Sequence, residues 1–188
     1  LLRPVGHTGP ELLNVEGCVM HSHARIVGSG GQIATRTLFW RSEDDTAAFA
    51  ARLAALPALR QAFIQLHGQL GAGKTTFVRH LLRAMGVPGR IKSPTYAVVE
   101  PHETPDGLAV SHFDFYRFND PQEWEDAGLR DLFAAPGLKL AEWPEKAAGL
   151  LPVPDLVLLI EIEAGDTRAV QVQARAALGA ALLHEACA

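Results

Sequence analysis

Apolar side chains recur at helical spacing in two segments of the chain. The first stripe follows Ser42, which has Asp45 three residues later in the manner of a capping box, and it ends before Pro57. The second stripe lies within 74–85 and is followed by Gly86, a residue type that often ends a helix. The pattern therefore predicts one helix that begins near residue 42 and a second over 74–85.

Short β-prone or apolar runs without helical period predict strands. The turn-forming segment 104–107 (TPDG) separates two of these runs, which we expect to pair as an antiparallel hairpin, and Gly165-Asp166 separates a second such pair. Asp120-Pro121 predicts the start of a short acidic helix that ends near Gly128, and an Ala/Leu-rich helix follows the last strand. The predicted strands are 35–40, 62–67, 96–100, 108–116, 138–141, 156–163 and 169–172.

Composition and charge narrow the class of protein. The chain has 188 residues, of which 48% are hydrophobic and 20% charged, as in an ordinary globular protein. The net charge of −4 provides no basic surplus for phosphate neutralisation, so strong direct binding to DNA or RNA is not expected. We expect a disordered leader over 1–33, where His21 and His23 lack further metal ligands, and a single domain over 34–188.

The cysteines and the lengths of the apolar stretches indicate the cellular compartment. Cys18 and Cys187 lie near opposite ends of the chain and do not form the framework of a disulfide-rich protein. The longest apolar stretch, 156–160, is far shorter than the roughly 20 residues of a membrane span, and no secretory signal is visible. A cytoplasmic protein without a membrane partner is therefore the expectation.

The strongest chemical signal is a phosphate-binding loop. The run Gly68-Gln69-Leu70-Gly71-Ala72-Gly73-Lys74-Thr75-Thr76 matches the P-loop pattern in full, and it follows a predicted strand and opens a predicted helix. Its glycines let successive N–H groups point at phosphate oxygens, and the helix directs its positive end to the same place. In this loop Lys74 reaches the β and γ phosphates and the Thr75 hydroxyl binds Mg²⁺. The alternative is a glycine-rich turn with an exposed lysine.

Three further segments are compatible with nucleotide chemistry but are ambiguous alone. The segment 93–96 (SPTY) follows the P-loop helix, where a γ-phosphate sensor is often placed, but it also fits a proline-fixed turn. Asp114, flanked by aromatics at a strand end, suits Mg²⁺ or water positioning, or else a pairing with Arg117 or with a loop amide. Glu142 ends another strand, where ligands cluster in open α/β sheets.

Four segments in this order resemble the bacterial TsaE (YjeE) family of ATPases. They are GQLGAGKTTFVR, KSPTYAVVEP, HFDFYRFNDPQEWEDAGLRDLF and LAEWPEKAAGLLP, and the resemblance spans roughly residues 39–172. The P-loop occurs in many families, whereas the SPTY, DFYR and EWPE elements together are specific to this one. The resemblance implies an α/β fold similar to P-loop NTPases: a three-layer sandwich with a mixed, mainly parallel sheet and antiparallel hairpins.

The resemblance also implies a function. TsaE proteins are required for the threonylcarbamoyladenosine modification at position 37 of tRNAs that read codons beginning with A. The resemblance implies the role of a motor subunit rather than that of the transferase. TsaE proteins join the TsaB–TsaD pair, and their ATP hydrolysis permits repeated turnover. The implied cofactors are ATP or ADP with Mg²⁺, the implied partners are TsaB and TsaD, and contact with tRNA is expected to be indirect.

Site residues transfer by their position in the motifs. Lys74 and Thr75 keep their P-loop roles, Glu142 corresponds to the Mg²⁺-linked acid of the family, and Asp114 corresponds to the acid needed for hydrolysis. Trp143 corresponds to a tryptophan beside the nucleotide. The residues that contact adenine in this family do not belong to a short motif. The residues expected there are Thr46 and Arg168.

Two other classes of P-loop protein were weighed. A small-molecule kinase is the alternative, but such an enzyme usually carries an arginine-rich lid, and no such segment occurs over 137–188. A GTP-dependent switch would need a guanine-reading Asn-Lys-x-Asp element, which the sequence lacks. An ATPase of the tRNA-modification machinery is therefore the prediction.

Overall fold

A computed structural model describes residues 34–188, and the predicted leader over 1–33 lies outside them. One sheet orders its strands β1-β7-β6-β2-β5-β4-β3. The strands are β1 (Thr35–Trp40), β2 (Phe63–His67), β3 (Val99–Glu103), β4 (Ala109–Asp114), β5 (Leu138–Glu142), β6 (Leu156–Ile162) and β7 (Arg168–Ala174).

The sheet is mixed, as the sequence predicts. The central strands β6, β2, β5 and β4 are mutually parallel, while β7 pairs antiparallel with both β6 and β1, and β3 pairs antiparallel with β4. Because β1 lies antiparallel to β7, it points the same way as the four central strands. Strand β5 is buried along its whole length, which is typical of a parallel strand covered on both faces.

Helices cover both faces of the sheet. Alternate residues of β2 face opposite sides: Ile64 and Leu66 join the larger hydrophobic core with α1, α2 and α5, whereas Phe63 joins an aromatic cluster with α3 and α4. The result is the predicted three-layer sandwich. The helices are α1 (Glu43–Ala54), α2 (Lys74–Ala84), α3 (Pro121–Asp126), α4 (Leu129–Ala134) and α5 (Ala177–Ala186).

The predicted helix starts are confirmed by their caps. The Asp45 carboxylate accepts hydrogen bonds from the backbone N–H of Arg41 (2.7 Å) and Ser42 (3.1 Å), so α1 begins where the capping pattern indicates. The Asp120 side chain accepts from the N–H of Gln122 at 2.9 Å at the start of α3. Between residues 34 and 188, no helix has the length and apolar character needed to cross a membrane.

One predicted strand start is wrong, and one short helix was not predicted. The strand expected over 96–100 begins only at Val99, because the N–H of Val98 donates to the carbonyl of Pro94 (2.8 Å) and closes a turn around Tyr96. The acidic helix expected to end near Gly128 ends earlier, and Gly128 instead precedes a separate helix, α4, that the sequence did not predict. A helix of six residues is too short to show a period.

Candidate functional site

The glycine-rich loop lies at the carboxyl end of β2 and leads directly into α2. Gly68 has a φ of 145°, and a Cβ at this position would clash with the carbonyl oxygen of Ile160 on β6, so only glycine fits there. Gly73, with a φ of 112°, is the N-cap of α2. The loop therefore brings the free N–H groups and the positive dipole end of α2 to the carboxyl edge of the parallel strands, an arrangement that favours anions.

Lys74, the first residue of α2, is buried, with 4% of its surface exposed. Its Nζ donates to the carbonyls of Gly68 (2.5 Å) and Gln69 (3.0 Å) and lies 3.9 Å from the centre of the Trp143 ring. Burial lowers the pKa of the Lys74 ammonium, and the nearby charge of Glu142 opposes that shift. The lysine is thus held against its own loop, beside the helix end that favours anions.

Glu142 ends β5 and is 2% exposed. Its two carboxylate oxygens lie 3.0 and 2.8 Å from Oγ1 of Thr75, whose hydroxyl donates to the carboxylate. Nε2 of His112, on β4, lies 2.9 Å from Oε1 of the same carboxylate. An ionised carboxylate only accepts hydrogen bonds, so we assign the hydrogen of the imidazole to Nε2. These bonds offset part of the large cost of burying a carboxylate.

Asp114 ends β4 and is 3% exposed. Its Oδ2 accepts from the Thr95 hydroxyl (2.9 Å) and from the hydroxyl of Ser93, and its Oδ1 accepts from the N–H of Tyr116 (2.8 Å). In the β4–β5 ladder Asp114 lies directly opposite Glu142. The two acids therefore stand side by side on neighbouring parallel strands.

Trp143 follows β5 directly and has a φ of 56°, a left-handed conformation that is uncommon for a residue with a side chain. It precedes a short 3-10 helix, Pro144–Ala147, and its N–H donates to the carbonyl of Leu66 on β2 at 3.3 Å. Its ring lies 4.9 Å from that of Tyr116. The turn of the backbone here brings the half-buried indole over the Lys74 ammonium, where it also packs against the aromatic cluster.

One cavity of about 280 Å³ brings most of the predicted site together. Its lining includes Lys74 and Thr75 from the loop, Asp114 and Glu142 from the strand ends, and Trp143. Hydroxyl, ammonium and carboxylate groups thus converge on one space at the N-terminus of α2.

A second cavity, of about 250 Å³, lies on the other side of the loop. Both residues predicted on the adenine side, Thr46 of α1 and Arg168 of β7, line it, and Arg168 Nε donates to the carbonyl of Ala72 at 3.2 Å. The two cavities meet along the loop. The residues that line both of them are Gly71, Gly73 and Thr76.

The donor set fits Mg²⁺ bound together with a phosphate. Mg²⁺ prefers oxygen ligands, keeps several waters and takes only one or two carboxylates from the protein. Thr75 and Glu142 supply a hydroxyl and a carboxylate that already lie within hydrogen-bond distance of each other. Within the described part of the chain, no cluster of three or more His, Cys, Asp or Glu could bind a metal with protein ligands alone.

Sequence reasoning missed some neighbours of this site. Asp114 does not pair with Arg117, because the Arg117 guanidinium lies 4.3 Å from the centre of the Tyr96 ring instead. The loop amide that the sequence offers as the other partner does bind it, since the N–H of Tyr116 donates to Oδ1. His112 was not identified as a partner of Glu142. Its position two residues before Asp114 in a strand places both side chains on one face, and this signal could have identified it.

Comparisons with known proteins agree on one family. The family model for "Threonylcarbamoyl adenosine biosynthesis protein TsaE" matches residues 40–172. The chain is 40% identical over 131 residues to the tRNA threonylcarbamoyladenosine biosynthesis protein TsaE of Haemophilus influenzae, covering 70% of this chain and 82% of that protein. It is 34% identical to the Bacillus subtilis protein of the same name, covering 72% and 84%. The Aquifex aeolicus protein of this name is 36% identical, covering 70% and 90%.

A solved structure shares the fold. The crystal structure of Bacillus subtilis YdiB superposes with a TM-score of 0.66 at 23% sequence identity, covering 84% of this chain and 97% of that one. At this level of identity the likeness supports the architecture of the sheet and helices.

Proposed function

The chain belongs to the TsaE family of threonylcarbamoyl adenosine biosynthesis proteins, and from that premise we propose that it is a Mg²⁺-dependent ATPase of tRNA modification. The relatives carry tRNA threonylcarbamoyladenosine biosynthesis in their names. We propose the same pathway here, with TsaB and TsaD as partners in the cytoplasm and with tRNA contacted through them.

One observation carries the proposal: most residues of the P-loop and two buried strand-end acids line one cavity. Buried charges are costly, and their concentration in one cleft is typical of a functional site. The loop's N–H groups and the Lys74 ammonium would bind the phosphates, and the adenosine would extend past Gly71 and Gly73 into the cavity with Thr46 and Arg168.

Each residue of this cavity has a separate role in the proposed reaction. Thr75 and Glu142 would hold Mg²⁺, which when bound neutralises charge on the phosphate oxygens. Lys74 would leave the carbonyls of its own loop and bind the β and γ phosphates. Asp114 would orient the attacking water or the loop that carries Ser93, because its carboxylate already holds that loop.

The direct test measures ATP hydrolysis by the purified protein alone and after addition of TsaB and TsaD from the same organism. We expect slow hydrolysis alone, stimulation by the pair, and co-purification with the pair that depends on the bound nucleotide. Absence of nucleotide binding would contradict the ATPase assignment. Nucleotide binding without any association under ATP or ADP would contradict the partner assignment only.

A further inference from the structure

The side chain of His112 is fully buried, although the roles above assign it nothing. Of its two ring nitrogens, Nε2 meets the Glu142 carboxylate at 2.9 Å, and Nδ1 has no hydrogen-bond partner among residues 34–188. A buried polar atom that stays unpaired costs free energy, which an apolar side chain at this position would avoid. The Glu142 bond is therefore the contact that accounts for an imidazole here.

We propose that His112 is a positioning residue that holds the Glu142 carboxylate in place for Mg²⁺, independently of the Thr75 hydroxyl. This inference rests on the proposed function. Thr75 and His112 both donate to Glu142 in this structure, but only Thr75 has a second task at the metal. Mg²⁺ would take a lone pair of the Thr75 oxygen and so would set the direction of that hydroxyl, whereas the imidazole lies outside the expected metal ligands and would keep donating to the carboxylate.

The sheet makes His112 a rigid support. It lies on β4 opposite Leu140 of β5, two residues before the position where Asp114 lies opposite Glu142. Both strands are central and parallel, and the imidazole is packed with no exposed surface. Donors on rigid elements that orient a metal-linked carboxylate are typically worth about 10- to 100-fold in metal affinity.

The neighbouring His102 on β3 provides a matched control. Its ring lies 6.3 Å from that of His112 in the same hairpin, and its Nε2 has no hydrogen-bond partner in the described part of the chain. Replacing His102 removes an imidazole from the same region without removing a donor from Glu142. A general loss of packing would affect both positions, whereas loss of carboxylate positioning would affect His112 alone.

The test compares His112→Asn with His112→Gln, because the amide of glutamine reaches the position of Nε2 and that of asparagine does not. Mg²⁺ is titrated calorimetrically at saturating ADP, and ADP affinity is measured separately in EDTA. We expect His112→Asn to raise the Mg²⁺ half-saturation by about 10- to 100-fold. His112→Gln and His102→Asn should stay close to the unsubstituted protein, and ADP affinity in EDTA should not change.

Other results of these titrations would contradict the role of His112 or the metal assignment. Equal Mg²⁺ affinity in the unsubstituted protein and His112→Asn would overturn the inference and leave the proposed function intact, whereas no Mg²⁺ response in the unsubstituted protein would overturn the metal assignment itself. If His112→Asn does not fold, His112→Phe takes its place. In the background of Glu142→Gln, loss of His112 should add no further Mg²⁺ defect, and an additive defect would indicate a role in packing alone.

Discussion

Helix α2 runs between two cavities of different character. The cavity at its N-terminus measures about 280 Å³, and Lys74, Asp114 and Glu142 line it, each no more than 4% exposed. The cavity near its C-terminal end is larger, about 440 Å³, and the charged residues that line it, Arg60 and Asp106, have side chains that are 41% and 62% exposed.

The polar groups of the larger cavity pair with one another at the exposed surface. Arg60 pairs with Asp106 at 2.5 Å, and the Thr104 hydroxyl accepts from the N–H of Leu108 at 3.0 Å within the β3–β4 turn. At the smaller cavity, the charged groups are buried, and hydrogen bonds from other elements reach them, such as the bond from Thr75 of α2 to Glu142 of β5. Cavity volume shows where a ligand has room, whereas buried charges cost stability and are typical of functional sites.

The largest effect that follows from this comparison is expected for Lys74→Ala. Loss of a buried donor to the phosphates should lower kcat/KM for ATP by about 10³- to 10⁵-fold, combining weaker binding with weaker stabilisation of the transition state. The Tm should change little, because the partners of the ammonium are carbonyls of its own loop, from residues that are not fully buried. Calorimetric ADP binding together with thermal melting checks both parts, and unaltered nucleotide affinity and hydrolysis would refute the P-loop assignment.

The two acids of the smaller cavity should differ in kind when replaced. Asp114→Ala should slow hydrolysis by about 10²- to 10⁴-fold, the usual cost of losing a proton-transfer or water-positioning group. Glu142→Ala should instead weaken Mg²⁺-dependent ATP binding, because its carboxylate meets the Thr75 hydroxyl. Single-turnover hydrolysis on the assembled complex and Mg²⁺ titration separate the two, and a larger metal defect in Asp114→Ala than in Glu142→Ala would reverse the roles.

Local sequence patterns were sufficient to predict the smaller cavity's main residues, but not their contacts. The P-loop, Asp114 and Glu142 sit in short motifs at predicted strand ends, so single segments identify them. The bond from His112 to Glu142 depends on the pairing of β4 with β5, and that register is a tertiary property. The roles of the site residues remain predictions that the experiments here test.

The larger cavity was not predicted from the sequence at all. Its walls come from the ends of α1 and α2 and from the β3–β4 turn. These segments are predicted separately, and their meeting depends on how the helices pack on the sheet. No motif marks this place, since its residues share no chemistry that spacing could reveal.

A smaller effect is expected for Trp143→Phe. Phenylalanine keeps an aromatic face for the Lys74 ammonium, and a cation–π contact is worth only about 0.5 to 2 kcal/mol, so ADP affinity should fall by less than about tenfold. The change in tryptophan emission on ADP binding should disappear if Trp143 is the reporter. A full response in the variant would point to Trp40, which lines the adjoining cavity, because Trp124 belongs to the aromatic cluster on the other face.

The smallest effect should come from Arg60→Ala at the larger cavity. Exposed ion pairs contribute little to stability, so the Tm should shift by no more than about 2 °C. ADP affinity and ATP hydrolysis should match those of the unsubstituted protein, because Arg60 bonds only to the turn residue Asp106 among its described side-chain partners. Together with Lys74→Ala, this variant tests whether buried charge, rather than cavity volume, shows which end of α2 binds the nucleotide. A marked loss of nucleotide binding in Arg60→Ala would mean that the two ends are coupled, and the distinction drawn between them would then fail.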